Sequence, residues 1–172
     1  MTPNDFTKEI TELIEKYGDD VYKVAFVILR SRELAEDVFQ ETFLRVCRSY
    51  SGYRGESSVK TWITSIAVNI CRDYMRSSWK KRVVTTDDFT TYLSSESDTE
   101  DIIEKRSEKE ELIKSIMELP DKYREVVLLY YYQDLDVKNI SRILKIPQGT
   151  VKSRLFKARN LLSSMMGGEA HG

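Results

Sequence analysis

The 172-residue sequence predicts an all-α protein: two small helical domains joined by a flexible acidic linker, with a helix-turn-helix in the C-terminal domain. Three observations lead there. Apolar residues recur at helical spacing through most of the chain, and no strand candidate is needed. Between 83 and 101, VVTTDDFTTYLSSESDTED, that periodicity disappears, and Ser, Thr and acidic residues give the composition of a solvated tether. Residues 136–162, DVKNISRILKIPQGTVKSRLFKARNLL, then read as two short amphipathic helices around a tight turn. The expected divisions are an N-terminal domain over 1–82, a linker over 83–104 and a C-terminal domain over 105–172.

Taken in order, residues 5–30 carry Ile10, Leu13, Ile14, Tyr17, Val21, Val24, Ala25, Ile28 and Leu29 at helical spacing, with Gly18 expected to break the run into two helices. A helix over 32–49 follows, turning Leu34, Ala35, Val38, Phe39, Thr42, Phe43 and Val46 inward. The stretch SYSGYRGESS is a loop by its turn chemistry. Ser57 or Ser58 is then a natural N-cap for a helix running to about Trp79. Beyond the tether, helical pattern returns over about 102–118 and stops at Pro120. Another helix over 121–133 places Tyr123, Val126, Val127, Leu129 and Tyr130 on its apolar side.

In the first helix of the final pair, Val137, Ile140, Ile143 and Leu144 share a face. Pro147 and Gly149 punctuate the chain between the two helices. In the second, Val151, Leu155, Ala158 and Leu162 form a stripe to be buried. Ser153, Phe156, Lys157 and Asn160 fall roughly opposite it, with Lys152 and Arg159 on one flank and Arg154 on the other. A short helix with a buried stripe and a cationic, hydrogen-bonding face suits the DNA major groove.

Composition excludes several function classes. The formal net charge of -1 conceals separation, because 83–104 holds acids without any Lys or Arg whereas 72–82 and 152–159 are basic. Charge must therefore be weighed domain by domain. The single histidine, His171, lies in a Gly-rich tail, which leaves no basis for a His-centred catalytic or zinc site. Cys47 and Cys71 lack a ligand cluster around them and read as small buried residues in a reducing compartment. No cofactor, metal site or catalytic residue is expected. Nothing resembles a membrane span or signal peptide, so a cytoplasmic protein without membrane insertion is expected.

Three segments, in order, carry a resemblance to a known family: AEDVFQETFLRV at 35–46, TWITSIAVNICRDYMR at 61–76, and LPDKYREVVLLYYYQDLDVKNISRILKIPQGTVKSRLFKARNLL at 119–162. The chain resembles the extracytoplasmic-function (ECF) group of sigma factors in the sigma-70 family, the promoter-specificity subunits of bacterial RNA polymerase. The first segment is similar to the family's polymerase-clamp motif, the second to its promoter-melting helix and the third to its C-terminal promoter-binding domain. The resemblance implies core RNA polymerase and promoter DNA as partners. It also implies an anti-sigma factor, often membrane-bound, that holds such proteins inactive.

Asp37, Gln40 and Glu41 are neighbours on one helix surface, an acidic, amide-bearing ridge suited to a basic helical partner. By resemblance that partner is the clamp of the largest polymerase subunit. Tyr50, Tyr53 and Trp62 with Arg54 and Lys60 combine rings for stacking with cations for phosphates, which suits single-stranded DNA. By resemblance the loop holds a flipped base of the minus-ten element, and Asn69 and Arg72 read or hold the same strand. The chain departs from the family's pattern at Ser65, where a basic residue is expected before the IAVN segment. The basic run Lys80, Lys81 and Arg82 adds nonspecific phosphate attraction. On the last helix, Ser153, Phe156 and Lys157 are expected at base edges of the minus-thirty-five element, and Lys152, Arg154 and Arg159 at phosphates. The linker's acids are expected to travel, by resemblance, toward the polymerase active site. The alternative is a stand-alone helix-turn-helix regulator whose N-terminal half dimerises or senses an effector.

Overall fold

The computed structural model describes residues 2–77 and 101–167. The acidic stretch of 83–100, the Lys80–Lys81–Arg82 run, Trp79 and His171 lie outside the described residues. The described residues form two compact helical units.

The first unit holds three mutually packed helices, α1 (Pro3–Leu29), α2 (Arg32–Ser49) and α3 (Val59–Arg76). Helix α1 starts on a capping box: the Thr2 hydroxyl accepts from Asp5 N–H at 3.2 Å, and the Asp5 carboxylate accepts from Thr2 N–H at 3.1 Å. Pro3 occupies the first helical turn, where its missing N–H costs nothing. The helix ends at Arg30, whose left-handed backbone (φ 56°) lets its N–H bond Phe26 O at 2.8 Å. Ser31 follows at once as the cap of α2, its hydroxyl accepting from Leu34 N–H at 3.2 Å.

Gly18 does not break α1, which is continuous through it, and this corrects the expectation of two helices. A glycine in mid-helix costs only about 0.5–1 kcal/mol relative to alanine. Here its bareness has a packing reason, because an added Cβ would stand 3.0 Å from Cε2 of Phe39. The glycine therefore accommodates the ring of Phe39 on α2. Ile10, Val21, Val24, Ala25, Phe26, Val27 and Ile28 are buried from α1, and Ala35, Val38, Thr42, Phe43 and Val46 from α2. Leu34 and Phe39, both expected inward, are half-buried. A short 3-10 turn at Tyr50–Gly52 leads into the loop, and Ser58 caps α3 by accepting from Thr61 N–H at 3.1 Å. Ile63, Thr64, Ala67, Val68, Ile70 and Cys71 close the core from α3. Cys47 is half-buried and Cys71 buried, and both are free thiols.

Beyond residue 100, where most of the second unit lies, the chain forms α4 (Asp101–Glu118), α5 (Asp121–Val127), a π turn (Leu128–Tyr132), α6 (Val137–Leu144) and α7 (Gln148–Met165). Helix α4 includes residues 101–104, which the sequence reading assigned to the linker. Ile116, Leu119, Val127 and Ala158 form a core cluster, with Tyr123 and Leu162 packed against it. Arg124, invisible to an apolar-pattern reading, is among the most buried side chains of the unit (1% exposed). Its guanidinium donates to Leu119 O at 2.7 Å and to the Asp121 carboxylate at 2.6 Å, tying the corner between α4 and α5.

The expected helix over 121–133 changes hydrogen-bond pattern part-way. Gln133 N–H reaches back five residues to Leu128 O at 3.2 Å, and Leu135 N–H bonds Leu129 O at 3.1 Å. Asp136 then caps α6, its carboxylate accepting from Asn139 N–H at 2.7 Å. Ile140, Ile143 and Leu144 are buried as expected. The turn between α6 and α7 depends on Lys145, at φ 55°, followed by Pro147. Gly149, expected in the turn, lies inside the first turn of α7.

Candidate nucleic-acid and protein interfaces

Helix α7 is anchored by Val151, Leu155 and Ala158, which are buried, with Leu162 half-buried on the same stripe. Anchoring that face forces its other residues outward. Lys152, Ser153, Phe156, Lys157 and Arg159 are exposed, and Arg154 and Asn160 are half-buried. Phe156 is 51% exposed, an unusual cost for a phenylalanine without a partner to cover it. The Ser153 hydroxyl donates to Thr150 O at 3.1 Å, which leaves its oxygen lone pairs outward.

The cations divide into two kinds. Lys152 and Lys157 make no ion pair or hydrogen bond among the described residues, whereas both arginines are held. Arg154 Nη1 lies 3.8 Å from Glu125 Oε1 on α5, and Glu125 is itself buried. Arg159 Nε donates to the Tyr131 hydroxyl at 2.6 Å, with its guanidinium carbon 5.7 Å from the Tyr131 ring centre and 6.0 Å from that of Tyr130. Pattern analysis missed Glu125 and Tyr131 because their partners lie about thirty positions away, beyond any helical periodicity.

In the first unit, the loop after α2 draws Tyr50, Tyr53 and Trp62 together. Tyr53 stacks on Trp62 at 4.7 Å between ring centres, Tyr50 lies 6.4 Å from Trp62, and Phe6 of α1 meets Tyr50 edge-on at 6.2 Å. The Tyr53 hydroxyl donates to Ser57 O, closing the loop on itself. Partial burial raises the Tyr50 phenol above its usual pKa, and the Glu9 carboxylate raises it further, so its O–H stays a donor at neutral pH. Arg54 is exposed and Lys60 half-buried. On α3, Trp62, Ser65, Asn69 and Arg72 follow one stripe at steps of three, four and three, and all are half-buried.

On α2, Asp37 and Gln40 are exposed and Glu41 is half-buried, its carboxylate accepting from Arg45 Nε at 2.8 Å. The three line an open groove of about 520 Å³ between α2 and α3, together with Leu44, Asp73 and Tyr74. Leu44 is 50% exposed and adds apolar surface to a lining that holds three acids, Asp37, Glu41 and Asp73, and one cation, Arg45. Burial pushes the Tyr74 phenol upward, and Asp37 and Glu41 add to the shift.

Among the described residues no group of three His, Cys, Asp or Glu side chains is placed to hold a metal. Nor is any described helix long and apolar enough to cross a membrane.

Two family models match separate parts of the chain. The Sigma-70 region 2 model matches residues 13–81 and the Sigma-70 region 4 model matches residues 109–162. The ECF RNA polymerase sigma factor SigM of Bacillus subtilis is 36% identical over 161 residues, covering 91% of this chain and 94% of that one. The ECF sigma-E factor of Haemophilus influenzae is 31% identical, covering 91% and 87%. Among solved structures, the sigma factor RpoE of Bartonella quintana, in complex with the anti-sigma factor NepR, superimposes with a TM-score of 0.70 at 18% identity, covering 93% of this chain and 98% of that one. The chain belongs to the sigma-70 family of RNA polymerase sigma factors, in its extracytoplasmic-function group.

Proposed function

We propose that the chain is a dissociable initiation subunit that binds core RNA polymerase, directs it to a two-part promoter, and performs no chemistry of its own. The observation that carries this is the presence, in order on one chain, of the region 2 and region 4 matches. The division of labour assigns residues 1–82 to polymerase binding and the minus-ten element. The acidic stretch of 83–104, whose last four residues open α4, connects them to residues 105–172, which take the minus-thirty-five element.

Asp37, Gln40 and Glu41 dock the polymerase clamp, with Leu44 as an apolar contact at the foot of their groove. Tyr50, Tyr53 and Trp62 supply the stacking surface for a base leaving the melted strand, with Arg54, Lys60 and Arg72 for its phosphates and Asn69 for a base edge. Lys157, Phe156 and Ser153 read the upstream duplex, and Lys152 and Arg159 hold its backbone. Arg154, paired with Glu125, holds α7 on α5 and contributes less charge to the DNA than its sequence position implied.

The protein acts in the cytoplasm, where the polymerase is, and an anti-sigma factor restrains it by covering these surfaces. The stand-alone regulator reading is not favoured, since it gives no purpose to the region 2 match or the acidic groove. Transcription in vitro from a library of random promoters tests the proposal. Adding the chain to core polymerase should create new start sites that share upstream and minus-ten elements; initiation indistinguishable from core alone would refute it.

A further inference from the structure

We propose that Tyr131 is a positioning residue for Arg159, and that the two together clamp one backbone phosphate of the upstream duplex. This rests on the reading of α7 as the helix that enters the DNA. The geometry begins in the π turn, where the five-residue bond from Gln133 to Leu128 widens the helix around Tyr130, Tyr131 and Tyr132. Tyr130 packs its ring edge-on against Tyr131 at 5.0 Å and 78°, which restrains the Tyr131 ring although the residue is 50% exposed. Arg159 rests against both rings and gives its Nε–H to the Tyr131 hydroxyl at 2.6 Å.

Only one of the five guanidinium donors is spent in that bond. The two Nη groups make no hydrogen bond among the described residues, and together they form the fork that matches two phosphate oxygens. An exposed arginine normally loses much side-chain freedom on binding; one already held through Nε and two rings loses less. The tyrosine gains as well. Its oxygen accepts from a cation, which strengthens its own O–H as a donor toward an anion. Arg159 also shares a flank of α7 with Lys152, seven residues and about 10 Å away along the axis. Arg154, on the opposite flank, is engaged by Glu125. Lys152 and Arg159, neither with an acidic partner among the described residues, thus share one flank of the helix, as contact with one DNA strand requires.

Full-length protein assembled with core polymerase should be tested on promoter fragments carrying single methylphosphonates, each of which removes one phosphate charge. In the wild type, one upstream position should weaken binding about tenfold when neutralised. Arg159→Ala should weaken binding to unmodified DNA by about the same factor and lose sensitivity at that position alone. Tyr131→Phe, which keeps the ring, should cost about threefold and nothing further in the Arg159→Ala background. Tyr131→Phe matching the wild type, or its loss persisting without Arg159, overturns the proposal; unchanged thermal unfolding of Tyr131→Phe separates positioning from folding. If Lys157→Ala weakens binding while Arg159→Ala and Tyr131→Phe do not, the clamp fails and α7 keeps its role. If Phe156→Ala and Lys157→Ala are also silent and no upstream phosphate matters, the reading of α7 fails, and the clamp with it.

Discussion

At the start of α3 and in the loop before it, the rings assigned to a melted strand lie half-buried and lean on one another, whereas on α7 the side chains assigned to duplex DNA stand exposed on a helix anchored by its opposite face. The contrast follows from the two targets. Unpaired bases present flat faces, so a useful surface is a set of rings held in place, and Tyr53 stacked on Trp62 with Tyr50 alongside is such a set. A duplex presents a groove edged by phosphates, so a useful surface is a rigid projecting ridge with charge on its flanks. The first unit stores its order in aromatic packing. The second stores it in polar ties behind the helix: Arg124 at the α4–α5 corner, Glu125 on Arg154, and Tyr131 on Arg159.

If that contrast is correct, the largest effect belongs to the second unit's corner. Arg124→Ala strips Leu119 O of its buried donor and leaves a cavity where a fully enclosed side chain stood, and should destabilise the unit by about 3–5 kcal/mol. Denaturant unfolding followed separately in each unit should show the first one unmoved; a loss shared by both would erase the distinction. Next comes the acidic groove of the first unit. Replacing Asp37, Gln40 and Glu41 together by alanine should weaken assembly with core polymerase by about 2 kcal/mol or more. The fold should barely respond, since the exposed Glu41–Arg45 pair is worth only about 0.3–0.5 kcal/mol. Unchanged assembly would remove the groove from the polymerase interface.

Lys157→Ala separates reading from holding. It should relax preference at one upstream base pair by roughly 1–3 kcal/mol, whereas a uniform loss across all sequences would make Lys157 a phosphate contact. The smallest effect has the opposite sign. Gly149 lies in α7 with open space where a Cβ would go, so Gly149→Ala should stabilise the free protein by about 0.4–1 kcal/mol. Thermal unfolding checks this directly, and a loss of stability would mean that the position is strained.

Much of the fold was legible because local signals agreed. Ser58, one of two serines expected to cap α3, does so, α4 stops just before Pro120 as expected, and the buried stripes of α2 and α7 follow helical spacing. Gly18 was misread for a physical reason. A bare position in a helix looks the same in sequence whether it breaks the helix or accommodates a neighbour's ring, and only Phe39 decides between them. Likewise, the tyrosine run at 130–132 carries no mark of a π turn, since the shift from a four-residue to a five-residue bond is a backbone adjustment.

By itself the sequence determined the helical class, the cap of α3, the cationic face of α7 and the acidic ridge of α2, because each depends on residues within a turn or two of one another. The tertiary structure alone decided which of those charges remain available. Arg154 and Arg159 are equivalent to Lys152 and Lys157 in any pattern of charge, yet folding gives Arg154 the Glu125 carboxylate, rests Arg159 on the tyrosines of the π turn with its Nη groups outstanding, and leaves the two lysines without a partner among the described residues. Pairing is a property of positions brought together by folding, and in α7 it separates Arg154, whose charge a carboxylate meets, from Arg159 and the two lysines, whose charge no acid offsets among the described residues.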